Sequence, residues 1–263
     1  FGCNQLASLP AGLFDPVATK LTTINACFQK CTGIKSIPEG FGNSLTALTN
    51  AGNAFYGCEA LETLPSEMFK GAAAKLSNLS SMFWGCTSLK SVPDGLFGFI
   101  TVRNANFLNC FNACTSLKSV GADVFPSTVS STGLNSTFSG CTSLTDISGK
   151  VFSKCGSVTT LMRTFYCCTA LETLPSDLFA GMVKVTKFDQ TFSGCTSLES
   201  IPEDLFSKNT VVNSFTKMFY ECASIKAIPA GLFANNKSAK DFSYMFYKTS
   251  LTSVPEGLFT SCT

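Results

Sequence analysis

The sequence has no histidine and a single tryptophan, and only 14% of its 263 residues are charged. Each shortage removes a class of function. Without an imidazole base, every Ser-His-Asp or Cys-His arrangement is unavailable. The common zinc sites with His ligands are excluded with it. Nineteen Lys plus Arg against 17 Asp plus Glu give a formal charge of +2, and neither sign is gathered into a block. The basic footprint that binds nucleic-acid backbones is therefore missing. Apolar residues make up 45% of the chain but are dispersed, and no run approaches the ~20 that a membrane span needs. Fourteen cysteines contain no C-x-x-C pair. No Gly-rich phosphate loop is framed by a strand and a helix. These absences argue against an enzyme and imply no cofactor and no metal.

What the chain has in excess is repetition. A Phe-x-x-Cys pair recurs at Phe28/Cys31, Phe55/Cys58, Phe83/Cys86, Phe111/Cys114, Phe138/Cys141, Phe165/Cys168, Phe192/Cys195 and Phe219/Cys222. Counting from Cys3, successive cysteines of this column stand 27 or 28 residues apart. Each is followed by L-x-x-I and usually Pro, as in Leu61-x-x-Leu64-Pro65 and Leu198-x-x-Ile201-Pro202, then by a Leu-Phe pair such as Leu205-Phe206. A V-x-x-F step, such as Val185-x-x-Phe188, leads back to the next Phe. Of the 25 Phe, only Phe1 and Phe99 fall outside these columns.

A 27-residue unit cannot bury its own apolar face, but stacked units share one core. The pattern thus predicts an α/β solenoid of about ten units, one domain over residues 1–263. Equivalent side chains should lie in ladders about 4.8 Å apart where units pair as strands. L-x-x-I is the expected strand, closed by Pro, which has no N–H for the next ladder bond. The three-to-four-residue spacing of x-x-L-F and F-x-x-C suggests helical turns on the opposite side. V-x-x-F fits a short strand or a turn.

Three departures stand out. Gly121 and Ser148 replace Pro after Val120 and Ile147, and the unit at Pro38-Glu39-Gly40-Phe41 is one residue short. The last unit keeps Phe246 but lacks its Cys. The chain begins and ends within a repeat, without an initiator Met or a polar cap. This is expected of a processed product, of a fragment, or of a solenoid that meets something end to end.

Segments such as Phe83-Trp84-Gly85-Cys86-Thr87-Ser88-Leu89-Lys90-Ser91-Val92-Pro93 resemble the BspA-like leucine-rich repeats, whose unit carries A-F-x-x-C-x-x-L-x-x-I after V-x-x-I. The resemblance covers essentially the whole chain. It departs in length, because the x-x-L-F step is extra and would form an added turn on the convex side. It implies a right-handed superhelix, displayed extracellularly on a bacterial or protist cell surface and associated with attachment to host matrix proteins or other cells.

The candidate binding residues lie in variable columns. The residue after the repeat Phe is Tyr56, Trp84, Tyr166, Tyr220 or Tyr247 in five coils, which places the only Trp and four of five Tyr in one column. Rings with an apolar body and a polar tip suit a half-wet contact surface, although they equally suit covering the edge of the core. The outward strand column holds Lys35, Glu62, Lys90, Lys118, Glu172, Glu199 and Lys226, a mixed-charge row on the expected concave face. Cysteines in the repeat column read as small buried hydrophobes with free thiols. Cys27, Cys110, Cys155, Cys167 and Cys262 lie outside it. The leading functional expectation is a non-catalytic adhesion module recognising a protein or glycoprotein. The alternatives are a spacer or subunit self-associating end to end, and a glycan-capture protein.

Overall fold

In the computed structural model, which describes residues 2–262, the repeat Phe of each coil is flanked by two left-handed residues. Two positions before it stand Ala26, Asn53, Ser81, Asn109, Ser136, Arg163, Gln190, Lys217 and Tyr244, with φ between 53° and 57°. Two positions after it stand Lys30, Gly57, Gly85, Ala113, Gly140, Cys167, Gly194, Glu221 and Lys248, with φ between 56° and 78°. Each is the third residue of a β-turn, where a type II turn demands positive φ. In the second coil, Cys27 N–H donates to Ile24 O at 3.0 Å and Cys31 N–H to Phe28 O at 3.1 Å.

A left-handed residue cannot propagate a helix, so the remaining peptide groups find partners in the next coil. Phe55 N–H donates to Met82 O at 2.9 Å, and Gly57 N–H to Trp84 O at 2.7 Å. The same two bonds recur down to Phe219 N–H on Met245 O and Glu221 N–H on Tyr247 O. The expected helical turns are therefore corrected to β-turns, and the α/β class with them. Among the described residues there is no α-helix, only 3-10 turns at Asp15–Val17 and Lys70–Ala72.

Strands form where L-x-x-I places them, but they are short. β1 (Ser91–Val92), β2 (Ser119–Val120) and β3 (Asp146–Ile147) make a parallel sheet in strict order, Val92 facing Val120 and Val120 facing Ile147. These are the coils joined by the two units that lack Pro. Gly121 N–H donates to Val92 O at 2.9 Å and Ser148 N–H to Val120 O at 3.0 Å. A Pro at either position would delete that bond. V-x-x-F also forms a ladder, one residue wide, through parallel bridges Thr23–Asn50–Asn78–Asn106 and Thr160–Lys187–Ser214–Asp241.

The coils enclose one apolar cluster running from Leu9 to Leu258. Its axis is the repeat Phe column. From Phe28 to Phe246 neighbouring rings stack with centroids 5.3–6.0 Å apart and planes within 17°. The Leu-Phe column stacks beside it, Phe179 on Phe206 at 6.2 Å, and the V-x-x-F rings pack between the two at steeper angles, Phe188 against Phe206 at 52°. All fourteen cysteines are free. From Cys58 to Cys222 each column thiol donates to the repeat Phe carbonyl of the preceding coil at 3.0–3.2 Å. Phe1, which lies outside the repeat columns, and Thr263, the last residue, are beyond the described residues.

Left-handed non-glycine residues carry a conformational cost of about 1–2 kcal/mol. Ala113→Gly should therefore raise the free energy of unfolding, by up to about 1 kcal/mol once the looser unfolded chain is counted. Gly140→Ala, in the next coil, should lower it by about as much. An added Cβ there meets Ala113 backbone at an unstrained 3.6 Å, so the loss is conformational. A fall in stability for Ala113→Gly, measured in urea, would contradict this account of the turn.

Burial pushes the column thiols from Cys58 to Cys222 above their ordinary value of 9.0, reaching about 12 at Cys58, Cys141 and Cys222, with Cys155 outside the column also at about 12. Unfolded thiols ionise from about pH 9 while these stay protonated, so their stabilising contribution is complete below pH 9. It is lost as pH rises toward 12, at up to about 1.4 kcal/mol per pH unit per thiol. Thermal melts in reductant should hold level between pH 7 and 8.5 and fall steeply above 9.5; a flat profile through pH 11 would refute the linkage. At pH 8 a thiol reagent should modify only Cys3, Cys27, Cys167 and Cys262, the four not buried, until denaturant is added.

Candidate functional site

The residue after each repeat Phe occupies the second position of its turn, between the buried ring and the left-handed residue. Its main chain is fixed twice. In the second aromatic coil, Trp84 N–H donates to Ser81 O and its carbonyl accepts Gly57 N–H. Tyr56, Tyr166, Tyr220 and Tyr247 are held the same way, by Lys30, Gly140, Gly194 and Glu221 N–H of the preceding coil. The side chain is free to point outward, so Tyr56, Trp84, Tyr166 and Tyr220 are half-buried and Tyr247 is exposed.

These five residues fall into three stations. Tyr56 and Trp84 pair across adjacent coils with ring centroids 5.6 Å apart and planes tilted by 48°. Tyr220 and Tyr247 stack at 4.9 Å. Tyr166 stands without an aromatic neighbour in its column, where the flanking coils carry Ser139 and Ser193, and the Arg163 guanidinium lies 5.6 Å from its ring.

A further component was not anticipated. The left-handed residue three positions before each ring lies beside it, and in the last stations it is cationic or aromatic. Lys217 sits 5.6 Å from the Tyr220 ring and 5.4 Å from that of Tyr244. Tyr244, 63% exposed, meets Tyr247 edge to face at 6.1 Å. Lys248 lies over Tyr247 and donates to Glu221 at 2.8 Å, a bond that raises the pKa of its ammonium group. The i−3 spacing of Arg163/Tyr166, Lys217/Tyr220 and Tyr244/Tyr247 was in the sequence, but it has meaning only once the turn is known.

At the first station the rings border a cavity of about 490 Å³. Its wall includes the bare backbone of Gly57 and Gly85, and polar groups of Lys30, Thr32, Glu59 and Thr87 surround it.

Members of the charged row are linked through their main chains. Glu62 N–H donates to Lys35 O, Lys90 to Glu62, Lys118 to Lys90, and Glu199 to Glu172, all within 3.1 Å, with the side chains directed to solvent or partly so. Within this row, Lys90 and Glu62 form an ion pair, and that hydrogen bond holds the Glu62 carboxyl below its usual range. Exposed pairs of this kind contribute little to stability.

A second open cavity, of about 820 Å³, lies beside the V-x-x-F ladder at Lys187, Asp189, Ser214, Thr216, Lys240 and Asp241. The Asp189 carboxylate there accepts from Ser214 Oγ, and the Asp241 carboxyl is lowered by hydrogen bonds, first from Ser243. The sequence reading named none of these residues, because V-x-x-F was not assigned as a ladder with its own outward column. Among the described residues no three His, Cys, Asp or Glu side chains converge as a metal site. Among the described residues no helix is long and apolar enough to cross a membrane.

Several solved structures align with this chain. A chain of the Drosophila Toll–Spatzle complex aligns with 91% of this chain and 34% of its own length, at 15% identity and a TM-score of 0.39. A leucine rich cell surface protein of Faecalibacterium prausnitzii aligns over 94% and 68%, at 14% identity and a TM-score of 0.29. A leucine-rich repeat protein of Eubacterium ventriosum aligns over 95% and 47%, at 18% identity and a TM-score of 0.36. The chain thus spans from 34% to 68% of the length of these structures. No curated protein sequence matches it. Residues 132–255 match the family described as Mycoplasma protein of unknown function, DUF285. Residues 17–94 match the BspA type leucine rich repeat region, in a family match of six copies. Residues 17–94 thus carry leucine-rich repeats of the BspA type, and the Phe, Cys and Leu/Ile columns of that region continue in the same register through the later coils.

Proposed function

We propose that this chain is a non-catalytic binding module of a bacterial cell surface, which recognises a protein or glycoprotein through the aromatic column beside the repeat Phe. Leucine-rich repeats of this family often bind proteins and are typically not catalytic. The observation that carries the reading is the state of the rings: Tyr56, Trp84, Tyr166, Tyr220 and Tyr247 are partly or fully exposed on a backbone bonded to the preceding coil. Such anchors need little further ordering when a partner arrives. Trp, Tyr and Arg are also the side chains most often found at the energetic centre of interfaces. The row from Lys35 to Lys226 is the complementary surface: mixed in sign and exposed or partly so, it would steer encounter more than hold a complex.

The test is binding to immobilised extracellular-matrix proteins, mucin and intact cells. Replacing Trp84, Tyr166 and Tyr220 together by Ala should weaken binding at least about tenfold, with the melting temperature unchanged within about 2 °C. Replacing Lys35, Lys90 and Lys118 by Ala should mainly reduce the salt sensitivity of the association rate. Full retention of binding by the aromatic triple variant would reduce the column to a cover for the core.

A further inference from the structure

We infer that the slot at Tyr56 and Trp84 binds a neutral sugar ring of an oligosaccharide. This deepens the binding reading above and rests on it, since it assigns a ligand class to one station of the same column.

The two rings are tilted by 48° rather than stacked on each other, so they form a corner with two apolar walls. Both residues are half-buried, which fixes their orientation and leaves part of each ring wet. A pyranose matches such a corner, since its axial C–H groups make one apolar face while its hydroxyls radiate from the edge. Between the walls the chain withholds side chains. Gly57 and Gly85 are the only glycines that follow one another in the left-handed column. A Cβ on Gly85 would have only the Gly57 backbone near it, at 3.8 Å, so the space is open for a ligand. In later coils glycine recurs there only singly, at Gly140 and Gly194, between larger residues such as Cys167 and Glu221.

The rim gives the polarity of the ligand. Lys30 and Glu59 supply one positive and one negative charge, and neither is in an ion pair among the described residues. Their charges cancel, which favours an uncharged ligand with both donors and acceptors, and the hydroxyl of Thr32 extends the set. The cavity of about 490 Å³ falls within the range of small-molecule sites, about 300–1,000 Å³. The station at Tyr220 and Tyr247 contrasts with this one, because Lys217, Lys248 and Glu221 crowd its rings, and Glu221 and Lys248 stand at the positions that Gly57 and Gly85 hold here.

Trp84 is the only tryptophan, so its fluorescence reports this slot alone. The experiment titrates the full chain with neutral tetrasaccharides built on glucose, galactose, mannose and N-acetylhexosamines, and with uronate-containing and sulfated ones. At least one neutral sugar should shift the Trp84 emission saturably. Tyr56→Ala should weaken it about tenfold, the loss of one aromatic contact. Lys30→Ala and Glu59→Ala lie on the exposed rim and should each weaken it severalfold without altering the melt, so the inference stays testable if Tyr56→Ala fails to fold. No emission shift with any sugar would overturn the inference, as would tighter binding of the charged sugars. If sugars fail while Trp84→Ala still weakens binding to immobilised proteins, the slot takes a protein group and only the sugar assignment falls. Loss of both would remove the binding reading as well.

Discussion

The structure depends on one hydrogen bond, repeated: the N–H of each repeat Phe given to a carbonyl of the next coil. Buried peptide groups must be paired, and a helix at this position would have paired them within itself. Left-handed residues on both sides of the Phe split the task. They close two tight turns inside the coil and leave the alternate peptide groups to its neighbour. Each such bond is worth only about 1 kcal/mol net, but leaving it unmade in the core would cost more. Stability therefore resides in interfaces between coils rather than in any single coil.

The same logic explains why cysteine fills a core column. The Phe28 carbonyl accepts Cys31 N–H within its own turn, and its remaining lone pair faces the next coil. The Cys58 thiol reaches it at 3.1 Å, which an alanine or valine would not. Threonine does this work one position before the Phe. The hydroxyls of Thr164 and Thr191 each bond two carbonyls, one in their own coil and one in the coil before. Asn209 and Asn236 do it in the column after Leu-Phe, and less completely. Each amide nitrogen donates to two carbonyls, but the Oδ1 atoms are buried without a donor. An unmatched acceptor costs about 1–3 kcal/mol, which makes these two coils the weakest-satisfied part of the stack. The thiol needs no matching donor at all.

Side-chain periodicity carried the repeat, the strand column and the assignment of Phe and Cys to the core, because each follows from which residues recur at fixed spacing. It did not carry the turns. F-x-x-C has the apolar spacing of a helical turn, and what forbids a helix is the backbone of the residues beside it. Gly57, Gly85, Gly140 and Gly194 signalled positive φ, but Lys30, Ala113, Cys167 and Glu221 occupy the same conformation without that signal. Tertiary pairing imposes it on them. Gly121 and Ser148 were read as interruptions, yet their N–H groups are what make the coils around β2 a sheet. The aromatic and charged columns were legible as columns. Which rings would touch was not, since that depends on serines intervening at Ser139 and Ser193, and on Tyr244 and Lys217 approaching from another column.

Whether the rings serve the fold is decided by the coils that lack them. Asn112, Ser139 and Ser193 occupy the same position as Tyr56 and Trp84. Their carbonyls accept from Gly85, Ala113 and Cys167 at 2.7–2.8 Å, as the Trp84 carbonyl does from Gly57. The Phe rings beneath stack no worse: Phe111 on Phe138 at 5.5 Å, against Phe55 on Phe83 at 5.7 Å. Since the main-chain bond and the Phe stack are kept whichever side chain stands here, that side chain can change without loss of the coil. A large, half-wet ring there brings the fold no bond that serine does not also bring, while it exposes apolar surface to water. Rings placed at positions the fold leaves undetermined, and paired across coils in two of three stations, are free to serve the binding proposed for them.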